Sequence, residues 1–235
     1  MSMPFFFVEH LNEKLIVFDE ITSKHMINVL RMKKGDEVCL TNGKGKKAGV
    51  IIVDDNRKRC TVETIAVIEE KEKSKKVAIG ISLIKNASRF EWFLEKGTEI
   101  GVNEIIPLIC ERTEKEKFRY DRMKNIVVSA MLQSQQCWLP VLREPVEFAQ
   151  AVQLSFGQKF IAHCDQQNRV DLASQLKNQF TNQLLLIGPE GDFSPQEIEL
   201  ARASDFIPVS LGNTRLRTET AGIVGAAILI IGSGS

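Results

Sequence analysis

The chain has 235 residues, of which 43% are apolar and 26% are charged, a composition typical of globular domains. Its formal net charge of +1 excludes a protein that binds long nucleic acids through overall charge, so any such contact needs a local basic patch. The five cysteines are scattered and contain no C-x-x-C pair, which argues against a disulfide framework and a zinc site. We expect free thiols in a reducing cytosol at Cys39, Cys60, Cys110, Cys137 and Cys164.

The first seventy residues have the pattern of short strands separated by Gly, Asn and Asp turns, which suggests a small barrel. The predicted strands are Phe5–Val8, Lys14–Phe18, Glu37–Thr41, Lys47–Val53 and Cys60–Ile68. The apolar run at Phe5 has no basic flank, so we interpret it as a strand and not as a signal peptide. One helix is predicted over Ser23–Arg31, with His25, Val29 and Met32 on one apolar face.

A charged stretch over residues 69–76 interrupts this pattern and indicates a domain boundary, with a first domain over 1–72 and a second over 73–235. Beyond it, strands and helices alternate, which predicts a mostly parallel sheet covered on both faces. The predicted strands are Val77–Ile84, Glu104–Leu108, Lys159–His163, Leu184–Ile187 and Phe206–Ser210. The predicted helices are Arg89–Ile100 with Gly101 as its cap, Asp121–Cys137, Val146–Leu154, Val170–Phe180 and the apolar segment Ala221–Ile231.

The buried strand at Leu184–Ile187 runs into a glycine-bearing turn, Gly188-Pro-Glu-Gly191, and then into a helix. Ser194, Pro195 and Glu197 fit an N-cap, a first helical position and a capping box. Ligands of open α/β sheets bind at the carboxyl ends of strands, so this turn is a candidate ligand loop. Gly-x-x-Gly is also common in ordinary tight turns, and both the dinucleotide fingerprint and the P-loop are absent.

A second strand and turn follow at Phe206–Ser210 and Leu211-Gly212. Arg215, Arg217 and Glu219 then crowd the start of a helix that is otherwise apolar. Arginine gains nothing from the positive end of a helix, so this cluster indicates a site. Two such strand–turn–helix units can line one pocket with backbone groups, which predicts that the turns at 188–191 and 211–217 converge.

Six stretches carry a resemblance to a known family. They are His25-x-x-x-Val29-Leu30-Arg31-Met32-x-x-Gly35-Asp36, Lys96-Gly-Thr98-Glu99-x-Gly101-Val102, Ile106-Pro107-Leu108, Gln133-Ser134, Gly188-Pro-Glu-Gly191-x-Phe193-Ser194 and Leu211-Gly212-x-x-x-Leu216-Arg217-Thr218-Glu219-Thr220-Ala221. Together they extend over the whole chain and resemble the RsmE family, the 16S ribosomal RNA uridine N3-methyltransferases of the SPOUT superfamily. Departures from the family pattern occur at Leu132, Gln136, Asp192, Thr214 and Arg215.

The resemblance implies an α/β protein, with an N-terminal PUA-like β-barrel and a C-terminal SPOUT α/β domain that contains a deep trefoil knot at about 184–225. It also implies a homodimer joined through the knotted domain, with S-adenosyl-L-methionine bent into the knot and 16S rRNA of the small ribosomal subunit as substrate. We expect a cytoplasmic protein for a separate reason, because the sequence predicts neither a signal peptide nor a membrane-spanning segment. No metal is implied. Asp192 replaces a second glycine, and we expect it to adopt the left-handed backbone that the turn requires.

The residues that we expect to hold the cofactor lie in the two turns and just before the first. They are Leu186, Ile187, Gly188, Pro189, Glu190, Gly191, Leu211, Gly212, Leu216, Arg217 and Thr218. Methylation of uracil N3 requires loss of its proton, for which Glu219 and Glu190 are candidate bases. Glu219 is equally well interpreted as a helix-start carboxylate paired with Arg217. Asp192 is a third candidate carboxylate, which we interpret in preference as a solvated loop residue.

Arg217 has two interpretations: it could stabilise negative charge on the uracil oxygens, or it could position a phosphate. From Lys24 to Arg59 we count ten Lys or Arg against four Asp or Glu, a local excess of +6. This excess favours RNA binding in the first domain, although lysines on solvated strand edges are also common. The RNA-binding candidates are His25, Arg31, Lys33, Lys34 and Arg215. We interpret His25 as a packed histidine and not as a catalyst.

Three other functions remain open from the sequence. One is a SPOUT methyltransferase that acts on another RNA position, against which the barrel-first order and the Arg-Thr-Glu-Thr segment argue. A second is a non-catalytic ribosome assembly factor, which predicts a damaged cofactor loop. A third is a nucleotide-phosphate binder, which lacks a lysine beside either turn.

Overall fold

The computed structural model describes residues 3–114, 117–163, 170–176 and 181–232. The chain divides into two compact units. The first unit contains residues 1–72 together with 131–139, and the second contains 73–130 together with 140–235. Among the described residues, no helix has both the length and the apolar character that crossing a membrane requires.

The first unit is built on a five-stranded sheet with the strand order β1-β3-β4-β5-β2. Its strands are β1 (Phe5–Phe7), β2 (Leu15–Val17), β3 (Glu37–Thr41), β4 (Lys46–Asp54) and β5 (Thr61–Glu69). All neighbours pair antiparallel except β1 and β3. Val38, Leu40 and Val50 are fully buried in its core, because alternate residues of a strand face the same side. The five predicted strands are confirmed to within one residue at each end.

The helical segment of the first unit starts three residues earlier than predicted. Helix α1 spans Glu20–Lys24, and the Asp19 carboxylate caps it by accepting a 2.7 Å hydrogen bond from the Thr22 amide. A π-helical stretch, His25–Val29, follows directly. The helix begins earlier because its N-cap is Asp19, four residues before the apolar pattern that starts at Ser23.

The predicted apolar face of this segment is wrong for His25 and Val29. Both are exposed, whereas Met26 and Met32 are buried. The i→i+5 hydrogen bonding of the π-helix, seen from Leu30 N–H to the His25 carbonyl, displaces side chains from α-helical spacing. His25 is therefore not a packed core histidine; its ring lies edge-on to Phe6, with centroids 6.1 Å apart.

The second unit contains an eight-stranded sheet in which every observed pair is parallel, so the predicted parallel sheet is confirmed. The strand order is β11-β13-β10-β12-β6-β7-β8, and β9 pairs with β7. The strands are β6 (Lys76–Ser82), β7 (Glu104–Ile109), β8 (Val141–Leu142), β9 (Val146–Glu147), β10 (Gln158–Ala162), β11 (Val170–Asp171), β12 (Asn182–Ile187) and β13 (Ile207–Ser210). The helices are α2 (Ala87–Ile100), α3 (Tyr120–Gln133), α4 (Phe148–Ala151), α5 (Pro195–Ala203) and α6 (Thr218–Ile231).

Two predicted helices of this unit are wrong in part. The segment predicted over Val146–Leu154 begins as strand β9 and continues as the single turn α4, because pairing with β7 outweighs helix propensity. The segment predicted over Val170–Phe180 begins as strand β11 and continues as a 3-10 turn over Leu172–Gln175. Residues 177–180 of that prediction lie outside the described residues. Helix α3 ends four residues before the predicted Cys137.

Candidate functional site

A cavity of about 310 Å³ lies at the carboxyl ends of the neighbouring strands β10, β12 and β13. Ala162 of β10 is in register with Ile187 of β12 and with Val209 of β13. The three strands therefore end at one level, and the residues that follow them surround a common space. This placement and volume are typical of small-molecule sites in open α/β sheets.

The turn after β12 forms one wall of the cavity through Gly188, Pro189, Glu190 and Asp192. The Asp192 amide donates a 2.9 Å hydrogen bond to the Pro189 carbonyl and closes the turn. Asp192 has φ 65°, so the expected left-handed backbone is confirmed, and its carboxylate accepts a 2.9 Å hydrogen bond from the Phe193 amide.

The predicted capping box follows this turn and fixes the start of α5. The Ser194 hydroxyl accepts from the Glu197 amide at 3.3 Å, and the Glu197 carboxylate accepts from the Ser194 amide at 2.8 Å. Pro195 occupies the first helical position. These reciprocal bonds satisfy amides that a helix start otherwise leaves unpaired, so the turn is held firmly at its far end.

The segment after β13 forms the opposite wall of the cavity. Leu211, Gly212 and residues 214–218 line it. Gly212 has φ 115°, a backbone conformation that side-chain-bearing residues rarely adopt. The Thr218 hydroxyl donates a 3.1 Å hydrogen bond to the Gly188 carbonyl and ties the second segment to the first turn. The two turns predicted to converge therefore do surround one cavity.

Nine of the eleven predicted cofactor-binding residues line this cavity. They are Ile187, Gly188, Pro189, Glu190, Leu211, Gly212, Leu216, Arg217 and Thr218. Leu186 is instead fully buried in the core beneath the sheet. Gly191 is exposed on the outer side of the turn, where a side chain would meet the aliphatic part of Arg112. Arg215, predicted as an RNA contact, also lines the cavity.

Glu219 is the predicted site residue whose surroundings differ most from expectation. Thr218 and Ala221 face the cavity, but Glu219 projects from α6 about 100° away from Thr218 and is not part of the lining. Its carboxylate lies 3.6 Å from Arg89 of α2, so the predicted pairing with Arg217 is wrong. The side chain is buried, and its Oε2 has no hydrogen-bond partner among the described residues.

Six residues of the lining were not among the predicted site residues: Ala162, His163, Asp192, Val209, Thr214 and Ala221. His163 is only 5% exposed and follows Ala162, so the register places it beside the turn that begins at Gly188. Strand β10 was predicted correctly, and the rule that ligands bind at strand ends could have indicated His163. The missing information was the position of β10 between β12 and β13.

The lining combines an apolar interior with charged groups at its exposed margin. Ile187, Val209 and Leu216 supply apolar contact, whereas Glu190 and Arg217 are exposed. Such a site suits a ligand with an apolar part and a charged part. Within the described ranges, no group of His, Cys, Asp and Glu side chains is arranged to hold a metal ion.

The remaining RNA-binding candidates lie on the surface of the first unit. Arg31, Lys33 and Lys34 are exposed, and Arg31 has φ 57° at the end of the π-helical stretch. The Lys33 amide donates a 2.7 Å hydrogen bond to the Asp36 carboxylate, which fixes the turn that carries these cations. Their side chains therefore project from a constrained backbone.

Four of the five cysteines are described, and all four are free thiols, as predicted. Burial raises the pKa of Cys110 to about 12, with a further rise from the Glu197 carboxylate, and burial raises the pKa of Cys60 to about 11. Because both thiols hold their protons more tightly in the folded chain, their contribution to stability is complete below pH 9.0 and is lost as pH rises towards these values.

We expect Cys60 and Cys110 of the native protein to react with iodoacetamide at pH 7.5 at least about 100-fold more slowly than an exposed cysteine, because only the thiolate reacts. Peptide mass spectrometry of the alkylated chain measures each rate, and the guanidinium-denatured chain is the control. Equal rates for Cys110 in the native and denatured chains would contradict this prediction.

Comparison with known proteins assigns most of the chain to RNA methyltransferase domains. Residues 71–230 match the model of an RNA methyltransferase domain, and residues 18–65 match that of an RNA methyltransferase PUA domain. The ribosomal RNA small subunit methyltransferase E of Synechocystis is 32% identical over 226 residues, which cover 93% of this chain and 74% of that protein.

Two solved structures extend this likeness to the fold. A probable rRNA-methyltransferase from Porphyromonas gingivalis is 35% identical, with a TM-score of 0.88 over 95% of each chain. A Legionella pneumophila protein solved with the bound cofactor SAM is 29% identical, with a TM-score of 0.87 over 97% of each chain. The fold is therefore α/β with an N-terminal PUA-like domain. The chain belongs to the RNA methyltransferase family of the ribosomal RNA small subunit methyltransferases E.

Proposed function

We propose that this protein transfers a methyl group from S-adenosyl-L-methionine to N3 of one specific uridine in 16S rRNA of the small ribosomal subunit. The observation that carries the proposal is the cavity bounded by the turns after β12 and β13. Family membership supports the reaction class, since the relatives are named ribosomal RNA small subunit methyltransferases. N3 of uridine is the finer part of the proposal and rests on the family resemblance.

The lining offers apolar, backbone and charged groups that suit the separate parts of S-adenosyl-L-methionine. The apolar side chains of Leu211 and Leu216 can pack against the adenine ring, and the backbone groups of the turn at Gly188 can hydrogen-bond its edge. A side chain at Gly212 would meet no atom within 4 Å, so open space borders the second turn there. The carboxylates of Glu190 and Asp192 lie where a cationic ligand would be favoured. When bound, the cofactor supplies an electrophilic methyl group on a sulfonium.

The residues of the cavity contribute chiefly by aligning the uracil N3 with that methyl group, because holding reactants in line lowers the barrier by several kcal/mol. Glu190 is our candidate acceptor for the N3 proton, since it lines the cavity and is exposed. Glu219 is less suited, because it faces Arg89 and not the cavity. Arg217 lies at the cavity margin, where its guanidinium stabilises negative charge on the uracil oxygens.

The first domain, residues 1–72, binds the RNA backbone in this proposal. Its exposed cations Arg31, Lys33 and Lys34 suit phosphate contacts, which position a substrate without reading its sequence. His25 lies beside them along the chain and is exposed as well. The methyltransferase domain, residues 73–235, contributes Arg215 at the cavity. A ribosomal RNA substrate implies that the protein acts in the cytoplasm.

We also propose a trefoil knot and a homodimer for the second domain. The knot is supported by the sheet order, in which β13 lies beyond β10, whereas α6 returns to contact β6 and β12. The dimer is supported by α6 itself, in which Ile223, Val224, Ile228 and Ile230 are only half-buried and Ile231 is 75% exposed. A partly uncovered apolar helix suits an interface with a second copy.

Titration calorimetry with S-adenosyl-L-methionine, followed by methyl-transfer assays, tests the proposed function. We expect the purified protein to bind the cofactor with a dissociation constant in the micromolar range, typical of enzyme substrates. Cofactor tritiated in its methyl group should then label 16S rRNA of unmodified small subunits, and nuclease mapping should find the label at a single uridine. Chromatography of the released nucleoside beside 3-methyluridine should place the methyl group on N3. Cofactor binding without labelling would favour a different RNA target. Absence of binding would favour the non-catalytic assembly factor.

A further inference from the structure

We propose that Arg112 is a positioning residue that holds the turn after β12, residues 188–194, from outside the cavity. We call this segment the cofactor turn. This inference rests on the proposed function of the cavity. Arg112 belongs to the loop after β7, residues 110–114, and it is not part of the cavity lining. Its contacts nevertheless reach the turn at residues 188–194.

The guanidinium of Arg112 is bonded to the backbone of that turn. Its Nη1 donates a 2.7 Å hydrogen bond to the Gly191 carbonyl and a longer one, 3.5 Å, to the Phe193 carbonyl. A methyl group on Gly191 would lie 3.4 Å from Cδ of Arg112, so the aliphatic part of the side chain packs on this glycine. Arg112 therefore binds the outer side of the turn. The inner side of the same turn, at Gly188 and Glu190, faces the cavity.

A second contact joins the same two loops independently. The Glu111 amide donates a 2.9 Å hydrogen bond to Oε1 of Glu197, while Oε2 of that carboxylate accepts from the Ser194 amide. Glu197 is only 8% exposed, so this bridge is shielded from water. The carboxylate of the capping box thus serves two loops at once.

The loop after β7 is itself rigid enough to act as a support. The Thr113 amide donates to the Cys110 carbonyl at 3.0 Å, and the Cys110 amide donates to the Thr113 hydroxyl at 2.8 Å. The same hydroxyl lies 2.9 Å from the hydroxyl of Ser82, which is fully buried at the end of β6. The loop is therefore fixed to the sheet. Its hydrogen bonds from Arg112 and from the Glu111 amide restrict the movement of the cofactor turn.

This arrangement predicts the sign of the effect on cofactor affinity. S-adenosyl-L-methionine carries a net positive charge, so removal of a nearby cation would strengthen its binding if charge alone mattered. Loss of the support instead weakens binding, because the turn must then be ordered at the expense of binding energy. The binding of the neutral product S-adenosylhomocysteine should weaken by the same factor, because both ligands contact the same turn.

Titration calorimetry on Arg112→Ala tests the inference, with Arg112→Lys and Arg122→Ala as companions. We expect Arg112→Ala to raise the dissociation constants of both ligands about tenfold, as loss of a charge-assisted hydrogen bond would. Lysine should restore part of the affinity, because it keeps a charged donor near the Gly191 carbonyl but lacks the fixed planar geometry of the guanidinium. Arg122 pairs with Glu91 on the surface, and its removal should leave both constants unchanged.

Thermal unfolding separates positioning from stability. Arg112 is exposed, so Arg112→Ala should unfold within a few degrees of the wild type. Unchanged or tighter binding of S-adenosyl-L-methionine by a folded Arg112→Ala would overturn the inference while leaving the proposed function intact. Failure of the wild type to bind would instead overturn the proposed function. Loss of methyl transfer with unchanged affinity would assign Arg112 to RNA contact and also overturn the inference.

Discussion

Replacement of Arg217 by alanine is expected to lower kcat for methyl transfer by about 100-fold, the scale seen when one donor to a developing oxyanion is removed. Arg217 is the N-cap residue of α6, and its side chain makes no capping hydrogen bond. It is exposed and lines the cavity, so its guanidinium is available to a substrate. The effect should fall mainly on kcat, because charge develops on the uracil oxygens only as the reaction proceeds.

Single-turnover rates with saturating S-adenosyl-L-methionine and unmodified small subunits measure this effect. Arg217→Lys should recover part of the rate, since a cation remains but the planar fork is lost. Arg202→Ala is the matched control, because Arg202 lies on α5, pairs with Glu199 and is not part of the cavity lining. A rate for Arg217→Ala within threefold of the wild type would remove this role. Loss of subunit affinity at unchanged kcat would favour phosphate positioning.

The local features of the site could be predicted from the sequence because each depends on neighbouring residues. Ser194 and Glu197 form the capping box that their spacing indicates. Asp192 adopts the left-handed backbone expected of a residue that replaces glycine in the turn. Gly101 ends α2 in a left-handed conformation, also as predicted. In each case the responsible interaction spans only a few residues.

Features that depend on the order of strands could not be predicted in the same way. His163 joins the cavity only because β10 lies between β12 and β13, and no periodicity in the chain encodes that order. Glu219 pairs with Arg89, which lies 130 positions earlier and reaches it only through the packing of α2 against α6. The π-helical turn at His25 likewise lacks a sequence pattern that distinguishes it from an α-helix.

The packing of α6 against α2 also predicts a large effect on stability. The prediction compares alanine substitutions at two glycines, one in each helix. We expect Gly222→Ala to be less stable than Gly97→Ala by about 1–3 kcal/mol, the usual cost of overfilling a packed core. A methyl group at Gly222 would lie 2.7 Å from Cε2 of Phe93 and 3.0 Å from Cδ1 of Ile81. Both side chains are fully buried, and an aromatic ring cannot bend away as an extended side chain can.

The comparison isolates this clash because the two glycines share every other consequence of the change. Each glycine lies inside a helix, so each change to alanine stabilises its helix by about 1 kcal/mol. This gain cancels when the free energies of unfolding of the two variants are subtracted. A methyl group at Gly97 would meet its nearest atoms at 3.7 Å, an ordinary contact distance. Urea denaturation of both variants gives the two free energies of unfolding. Equal stabilities would mean that Phe93 moves freely, and α6 would then not be held against α2 as tightly as these distances require.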